Sequence, residues 1–475
     1  MSSPAPHNAA TFPYRHFPPD TFSYWWSGIP VGIGRNGSPT TTGAEHAVLV
    51  VGPPRVGKTS TVIIPAILSA PGPVVTTSTK PDVMEATASW RSHGCGGGHG
   101  GVCFLFDPSA SVSVPEGVTP LRWSPVVGCE SFETANAMAS ALASATRPGA
   151  QFTEAAHWIE RASALLAPLL HAAALDGKTI AEVFDWVSTH DVRHAEAVLA
   201  AQRSNRAKVV LAGIWGTEER ERSGIFSTAA GLLAAYRSEA ALQAACRPNF
   251  DPDHFATSYD TVYVVAPAAD QERLAPLVVA LIEQIRNAVY RFRASNPDSV
   301  PTVFALDEVA NIAPLPSLPQ LASEGASQGA LTVASIQDLS QARARWGAVA
   351  EGFFTLFSTK VIFPGIGDAR TLELISQLAG EEQIPVKSIS APGTFLSALA
   401  SNGGTQVHWS TQWRRKIPVD QVARGRPGCA LLIAPGSIIS TVWSVPWFAY
   451  PEWYEQATGQ TWPGDRDSWR QQGSQ

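Results

Sequence analysis

One octapeptide limits what this chain can fold into more than any other feature: Gly52-Pro53-Pro54-Arg55-Val56-Gly57-Lys58-Thr59, a match to G-x-x-x-x-G-K-[ST]. It follows the apolar run Ala47 to Val51 and opens a segment of helical character, Thr59 to Ser69. A buried strand, a glycine loop and a helix in that order give the pattern its physical meaning. The glycines let the backbone curl, and the loop amides then converge with the helix N-terminus on a phosphate-sized anion. The pattern predicts that Gly52, Pro53, Pro54, Arg55, Val56, Gly57, Lys58, Thr59 and Ser60 line a nucleotide. The Lys58 ammonium is expected to reach the β and γ oxygens, and the Thr59 hydroxyl to hold magnesium.

A hydrolytic site of this kind also needs an acid at the end of a neighbouring apolar strand, and Val303-Phe304-Ala305-Leu306-Asp307-Glu308 supplies it far downstream. Asp307 is expected to bind magnesium through water, and Glu308 to orient or deprotonate the attacking water. A further strand, Leu331 to Ile336, ends in Gln337, whose amide could contact the γ-phosphate or the water. The role expected for it is sensing of the nucleotide state, the alternative being an ordinary strand-end cap to the helix starting near Leu339. The expected catalytic set is Lys58, Glu308 and Gln337, with ATP and magnesium as cofactors.

The surrounding pattern is that of an α/β protein. After Ala47–Val51 come a helix, a strand (Pro73 to Thr77), a helix (Asp82 to Arg91) and a strand (Val102 to Phe106), a βαβαβ opening. The strands are continuous apolar runs, as expected where both faces of a parallel sheet are covered. Between Cys129 and Phe250 the period becomes helical, as in Ala137 to Ala145, His157 to Ala174 and Ala229 to Ala245. Strand character resumes at Thr261–Ala266. A helix from Glu272 to Arg293 and the strand Thr302 to Leu306 follow, with later strands at Lys360–Phe363, Ala430–Ile433 and Ser440–Val445. The expected organisation is an aromatic, proline-rich arm over 1–42 and a discontinuous nucleotide-binding domain over 43–128 and 251–451. An all-α domain is inserted over 129–250, and a polar tail runs over 452–475. The arm's Tyr14, Phe17, Phe22, Tyr24, Trp25 and Trp26 read as a strap over the main domain, or as a docking segment for a partner.

Composition excludes other classes. Hydrophobic residues make up 45% and charged residues 16%, which fits a folded core and not a disordered chain. A net charge of −6 excludes a globally basic coat for nucleic acid, although local basic surfaces remain. Five scattered cysteines do not suggest a disulfide framework, and the expected setting is a reducing cytoplasm. No signal peptide is read at the N-terminus. The longest apolar stretch, Ala162 to Leu175, is interrupted by Ser163, Pro168 and His171 and is too short to span a bilayer.

The order of motifs resembles the TraG/TraD-like coupling proteins of type IV secretion systems, over roughly residues 30 to 450. The resemblance is carried by the glycine loop with Ile63-Ile64-Pro65 and by Thr77-Ser78-Thr79-Lys80-Pro81-Asp82. Phe106-Asp107-Pro108, Trp123-Ser124-Pro125 and Tyr263-Val264-Val265-Ala266-Pro267 follow, then Leu306-Asp307-Glu308-Val309-Ala310-Asn311 and Ile336-Gln337-Asp338-Leu339-Ser340-Gln341. It implies a RecA-like P-loop NTPase motor domain with a parallel sheet and an inserted all-helical domain that selects substrate. It also implies ATP hydrolysis, a hexameric homo-oligomeric ring and a cargo of DNA, relaxase–DNA complexes or effector proteins. Two departures stand out. The family's usual transmembrane helices are not read here, so recruitment to the inner face of the membrane would need a membrane-anchored partner of the secretion apparatus. Ala326 stands in Ser323–Gly329, where such proteins often carry an arginine that reaches the neighbouring subunit's nucleotide. Arg220, Arg222, Arg343 and Arg345 are the substitutes to consider, each also readable as a solvated surface charge. A nucleotide-gated protein-cargo adaptor and a DNA pump of the chromosome-segregation or packaging kind are the competing functions.

Weaker signals remain. His93, Cys95, His99 and Cys103 have the types of a zinc site but lie in a Gly-rich stretch that reads better as a loop. Arg203, Arg206 and Lys208, and Arg414, Arg415 and Lys416 beside Trp413, are candidate phosphate contacts, with a solvated face as the default. Lys80, directly after the second strand at the C-terminal sheet edge where ligands of open α/β folds bind, is a candidate site or pore residue.

Overall fold

The computed structural model describes residues 28–93, 100–146, 153–390, 406–436 and 439–464. The arm's aromatic residues and Cys95 and His99 lie outside these residues. The strands are β1 (Pro30–Ile33), β2 (Pro39–Thr41), β3 (Val48–Val51), β4 (Val74–Ser78), β5 (Cys103–Phe106), β6 (Val118–Pro120) and β7 (Thr261–Val265). They continue with β8 (Thr302–Leu306), β9 (Ala330–Ile336), β10 (Thr359–Ile362), β11 (Glu381–Ser390), β12 (Gln406–Arg415), β13 (Cys429–Ile433) and β14 (Ser440–Trp443). Twelve of them form one sheet in the order β2-β1-β14-β13-β10-β3-β9-β8-β4-β7-β5-β6. From β10 to β6 every pairing is parallel, and from β10 outward to β2 every pairing is antiparallel.

Strand alternation sends successive side chains to opposite faces, so each central strand feeds two cores. Val48 and Val50 join Val74, Ala305 and Val333 on one face, under the Ile64–Leu68 and Asp82–His93 helices. Leu49 and Val51 join Val75, Phe304, Leu306 and Ala334 on the other, with the Gln271–Ser295 helix. Both faces being dry is why the strands read as unbroken apolar runs.

Between β6 and β7 the described residues are helical: Phe132–Ser144, Thr153–Leu175, Ile180–Thr189, Arg193–Ala201, Asn205–Trp215, Glu219–Leu232 and Glu239–Ala245. Thr153–Leu175 is the axle, buried through Leu165, Leu166, Leu169 and Leu170 and touched by most of the others. Phe132–Ser144 packs on both this axle and Gln271–Ser295, which roots the insertion on the sheet layer. Thr179 and Glu182 close a capping box that starts the next helix. The single helix expected over Ala229–Ala245 breaks at a 3-10 turn, Ala234–Arg237, which buries Tyr236 completely and pushes its phenol pKa up.

Two other expectations are corrected, and one element was not expected. Residues 28–42 are not part of a separate arm, because β1 pairs with β14 and Ile29, Val31 and Ile33 are fully buried. The stretch after Glu452 is not wholly a loose tail: Pro451–Thr458 is a helix whose Trp453 and Ala457, with Tyr450, make an i, i+3, i+7 stripe against the Asp82–His93 helix. Residues 381–390 and 406–415 form a two-stranded hairpin outside the main sheet, which the sequence pattern did not indicate. No helix among the described residues is long and apolar enough to cross a membrane. Because Trp453 is 3% exposed, Trp453→Ala should lower the unfolding free energy by about 3 kcal/mol in a denaturant titration, whereas a loose tail would leave it unchanged.

Candidate nucleotide site

The loop after β3 has the alternating handedness that turns amides inward. Arg55 and Gly57 take φ of 66° and 96°, and only glycine adopts the latter without strain. A side chain at Gly52 would place its Cβ 2.7 Å from Phe363 Cβ, so close packing on the strand end also demands glycine there. The helix that follows opens with a wide π turn, Thr59–Ile63, in which the Ile64 amide donates to the Thr59 carbonyl. Pro65 explains it: proline cannot donate to the carbonyl four residues back and its ring crowds that carbonyl, so the preceding turn widens. Lys58 is 6% exposed and donates to the carbonyls of Gly52 at 2.7 Å and Pro53 at 2.9 Å. One of its three protons is left for another acceptor.

The structure changes one detail of the expected pairing. β8, which carries Asp307, is not beside β3; β9 lies between them. The parallel register brings all three strand ends to one edge, where the Gly52 amide donates to the Ile336 carbonyl at 3.2 Å. Thr59 Oγ1 donates to Asp307 Oδ2 at 2.5 Å, and Asp307 Oδ1 accepts from the Glu308 amide at 3.0 Å. Thr77 on β4 holds the Asp307 carbonyl at 2.7 Å. Two hard oxygens in contact at the mouth of a phosphate loop, with the buried Ser335 hydroxyl of the adjacent strand next to the same carboxylate, suit a magnesium ion.

Glu308 sits at φ 49°, a left-handed conformation that aims its side chain away from the strand direction. Its Oε2 accepts from Asn311 Nδ2 at 3.1 Å, and Asn311 Oδ1 accepts from Gln341 Nε2 at 3.2 Å. Gln341 Oε1 in turn accepts from the Gln337 backbone amide at 2.9 Å. A relay therefore runs from the expected base to the end of β9. Asn311 and Gln341 are the residues that sequence reasoning missed. Their signal was their spacing, three residues after Glu308 and four after Gln337. The helix after β9 is capped by Asp338, which accepts from the Gln341 amide at 3.0 Å, so Gln337 is not its cap.

Among the arginines, Arg343 is committed to Asp368 at 3.1 Å and Glu351 at 3.2 Å, and Arg222 stacks on Trp215 at 4.9 Å. Arg220 and Arg345 are exposed. Ala326 packs against the core beneath the sheet. Lys80, Arg203, Arg206, Lys208, Arg414 and Lys416 are exposed, while Arg415 pairs with Glu373. His93 bonds within its own helix and Cys103 is buried in β5; no group of three metal-ligating side chains occurs among the described residues.

This fold and site define a P-loop α/β nucleotide-binding protein with one strand between its two motif strands. Residues 16–412 match the family described as Type IV secretory system Conjugative DNA transfer, and the chain belongs to that family. Protein VirD4 of Rhizobium radiobacter is 23% identical over 359 residues, covering 74% of this chain and 51% of that protein. Protein VirD4 of Agrobacterium fabrum is also 23% identical, with 74% and 52% covered; the chain thus spans about half the length of the curated relatives it matches. Among solved structures, the bacterial conjugative coupling protein TrwBdeltaN70 superimposes with a TM-score of 0.65 at 17% identity, covering 88% of each chain. The plasmid coupling protein TrwB in complex with ADP and Mg2+ superimposes with a TM-score of 0.64 at 16% identity, covering 88% and 89%. The shared fold is the RecA-like motor fold.

Burial dominates the charges of the site. It lowers the Lys58 pKa against the attraction of Asp307 and Glu308, and raises that of Asp307 against the Thr59 hydroxyl and Lys58. A carboxyl held above its unfolded pKa binds its proton more tightly in the fold. The stability it contributes is complete below the unfolded carboxylate range and is lost as pH rises through the folded value. The unfolding free energy of the nucleotide-free wild type relative to Asp307→Asn should therefore fall as pH rises from about 4 toward neutrality. A pH-independent difference in parallel denaturant titrations would contradict this.

Proposed function

We propose that the protein is an ATP-hydrolysing motor that moves DNA toward a type IV secretion or conjugation apparatus. The observation that carries the reading is the convergence of Lys58, Thr59, Asp307 and Glu308 at one sheet edge, with Glu308 steadied by Asn311 and Gln341. A protein that only bound nucleotide would need the first three. A carboxylate held in a strained backbone position and tied to the neighbouring strand is what water activation requires. The family's description as conjugative DNA transfer, and TrwB structures in complex with ADP and Mg2+ or an ATP analogue, support the choice of pathway and cofactor.

In this mechanism the loop amides and Lys58 bind the phosphates and fix the γ-phosphoryl group in line with the water. Thr59 and Asp307 would hold magnesium, which supplies charge neutralisation to the β and γ oxygens when bound. Glu308 accepts the proton of the water, and Asn311 and Gln341 keep its carboxylate aimed. Gln337, at the tip of β9, relays the γ-phosphate state to the relay that ends on its own amide. The inserted helices select the cargo. A hexameric ring would bring a neighbouring subunit's Arg220 or Arg345 to the phosphates, and a membrane-anchored component of the apparatus would hold the ring in place.

Lys58→Ala should abolish nucleotide binding in a fluorescent-ADP titration. Glu308→Gln should bind nucleotide normally yet hydrolyse ATP about a hundredfold or more slower, and DNA should stimulate the wild type but not this variant. Undiminished hydrolysis in both variants would overturn the site. Asn311→Ala should cut kcat by about ten- to a hundredfold with KM nearly unchanged, because it misaims a base that binding does not use.

A further inference from the structure

The β11–β12 hairpin stands apart from the main sheet and carries two of the most exposed large hydrophobic side chains among the described residues, Trp409 at 68% and Trp413 at 63%. Residues two and four apart on a strand share a face, so both indoles lie on one side of the ribbon. Cross-strand partners share that face too: Lys387 opposite Trp409, Pro385 opposite Thr411, and Gln383 opposite Trp413. The reverse face holds Ile384 and Val386, which are half-buried, whereas nothing among the described residues covers the tryptophan face beyond the root, where Arg415 binds Glu373.

We propose that this face is a stacking platform for single-stranded nucleic acid. Leaving two indoles in water costs the fold hydrophobic burial, and the arrangement matches an extended strand in two ways. The first is spacing. Four strand residues span roughly 14 Å. That is about two steps of a nucleic-acid strand stretched to twice its duplex rise of about 3.4 Å, so each indole meets a base and one base bridges them.

The second is charge. The acids Glu381 and Glu382 sit at the root, paired across the ladder with Arg415 and Arg414. Beyond them, Lys387 is the one charged group among the described side chains of the hairpin, and it forms no ion pair there. Lys416 follows the second strand and is exposed and unpaired among the described residues. An ammonium directly across from an exposed indole is the pairing that a phosphate between stacked bases needs, and stacking tolerates any sequence because every base has a π-face. Around the two indoles the face offers, among the described side chains, only Gln383, Pro385, Thr411 and Lys387, with Lys387 its one charge beyond the root.

The platform rests on the DNA-motor reading only for the identity of its strand. The test is the affinity of the full chain for a fluorescein-labelled oligothymidine, followed by anisotropy, in the wild type, Trp409→Ala/Trp413→Ala and Trp409→Phe/Trp413→Phe. Both residues are exposed, so the melting temperature should not change in either variant. The alanine pair should weaken binding about thirtyfold or more and the phenylalanine pair should largely retain it. Unchanged affinity in the alanine pair would overturn the platform while leaving the motor reading intact. If affinity is unchanged but sedimentation velocity shows altered self-association, the face is a contact between copies of this chain and the platform is overturned. Failure of the wild type to bind oligothymidine would overturn the platform, whereas tryptophan-dependent binding without DNA-stimulated hydrolysis would overturn the motor reading alone.

Discussion

The hydrogen bond from Thr59 to Asp307 joins residues 248 positions apart, and most of the architecture serves to make it. Neither residue can reach the other through local structure. Thr59 must open a helix immediately after β3, and Asp307 must end β8. Since β9 separates these strands, their ends meet only if three parallel strands hold register. A slip of one residue would turn Asp307 to the other face, and two apolar faces forbid the slip because it would expose Phe304 and Leu306 to the wrong core.

That precision is used to keep opposite charges close in a dry place. Lys58 and Asp307 are both nearly buried, each with a pKa displaced toward its neutral form by loss of water. Such a pair contributes little to stability compared with apolar residues in the same volume. Its presence at the strand ends of the main sheet is therefore better explained by what it can bind than by what it holds together. The left-handed Glu308 next to it carries the same implication, since a non-glycine residue at φ 49° is tolerated only where its surroundings hold it.

The insertion and the hairpin place other surfaces around this rigid edge. The helices between β6 and β7 add a second core, continuous with the sheet's through Phe132–Ser144 on Gln271–Ser295, so the insertion is braced and not tethered. The hairpin is the opposite case. It leaves the sheet after the Ala369–Leu378 helix, is anchored at its root by Arg415 to Glu373 and by the Lys416 amide to the Gly380 carbonyl, and otherwise makes its own ladder.

The local rules of the chain were enough to locate the phosphate loop, the acidic pair and the succession of strands and helices, because strand–loop–helix context and apolar runs are properties of neighbouring residues. Gly57, Lys58, Thr59, Asp307 and Glu308 could each be named before any strand was paired. The tertiary structure alone decided that β9 separates the two motif strands, that Asn311 and Gln341 connect Glu308 to Gln337, and that Arg343 is consumed by Asp368. Strand order and side-chain partnership depend on contacts between residues tens to hundreds of positions apart, which no periodicity encodes. The ends of the chain show both limits. Trp453 and Ala457 carry a helical stripe legible among polar neighbours, whereas the pairing of β1 with β14 joins segments some four hundred residues apart and is decided only once the sheet between them exists.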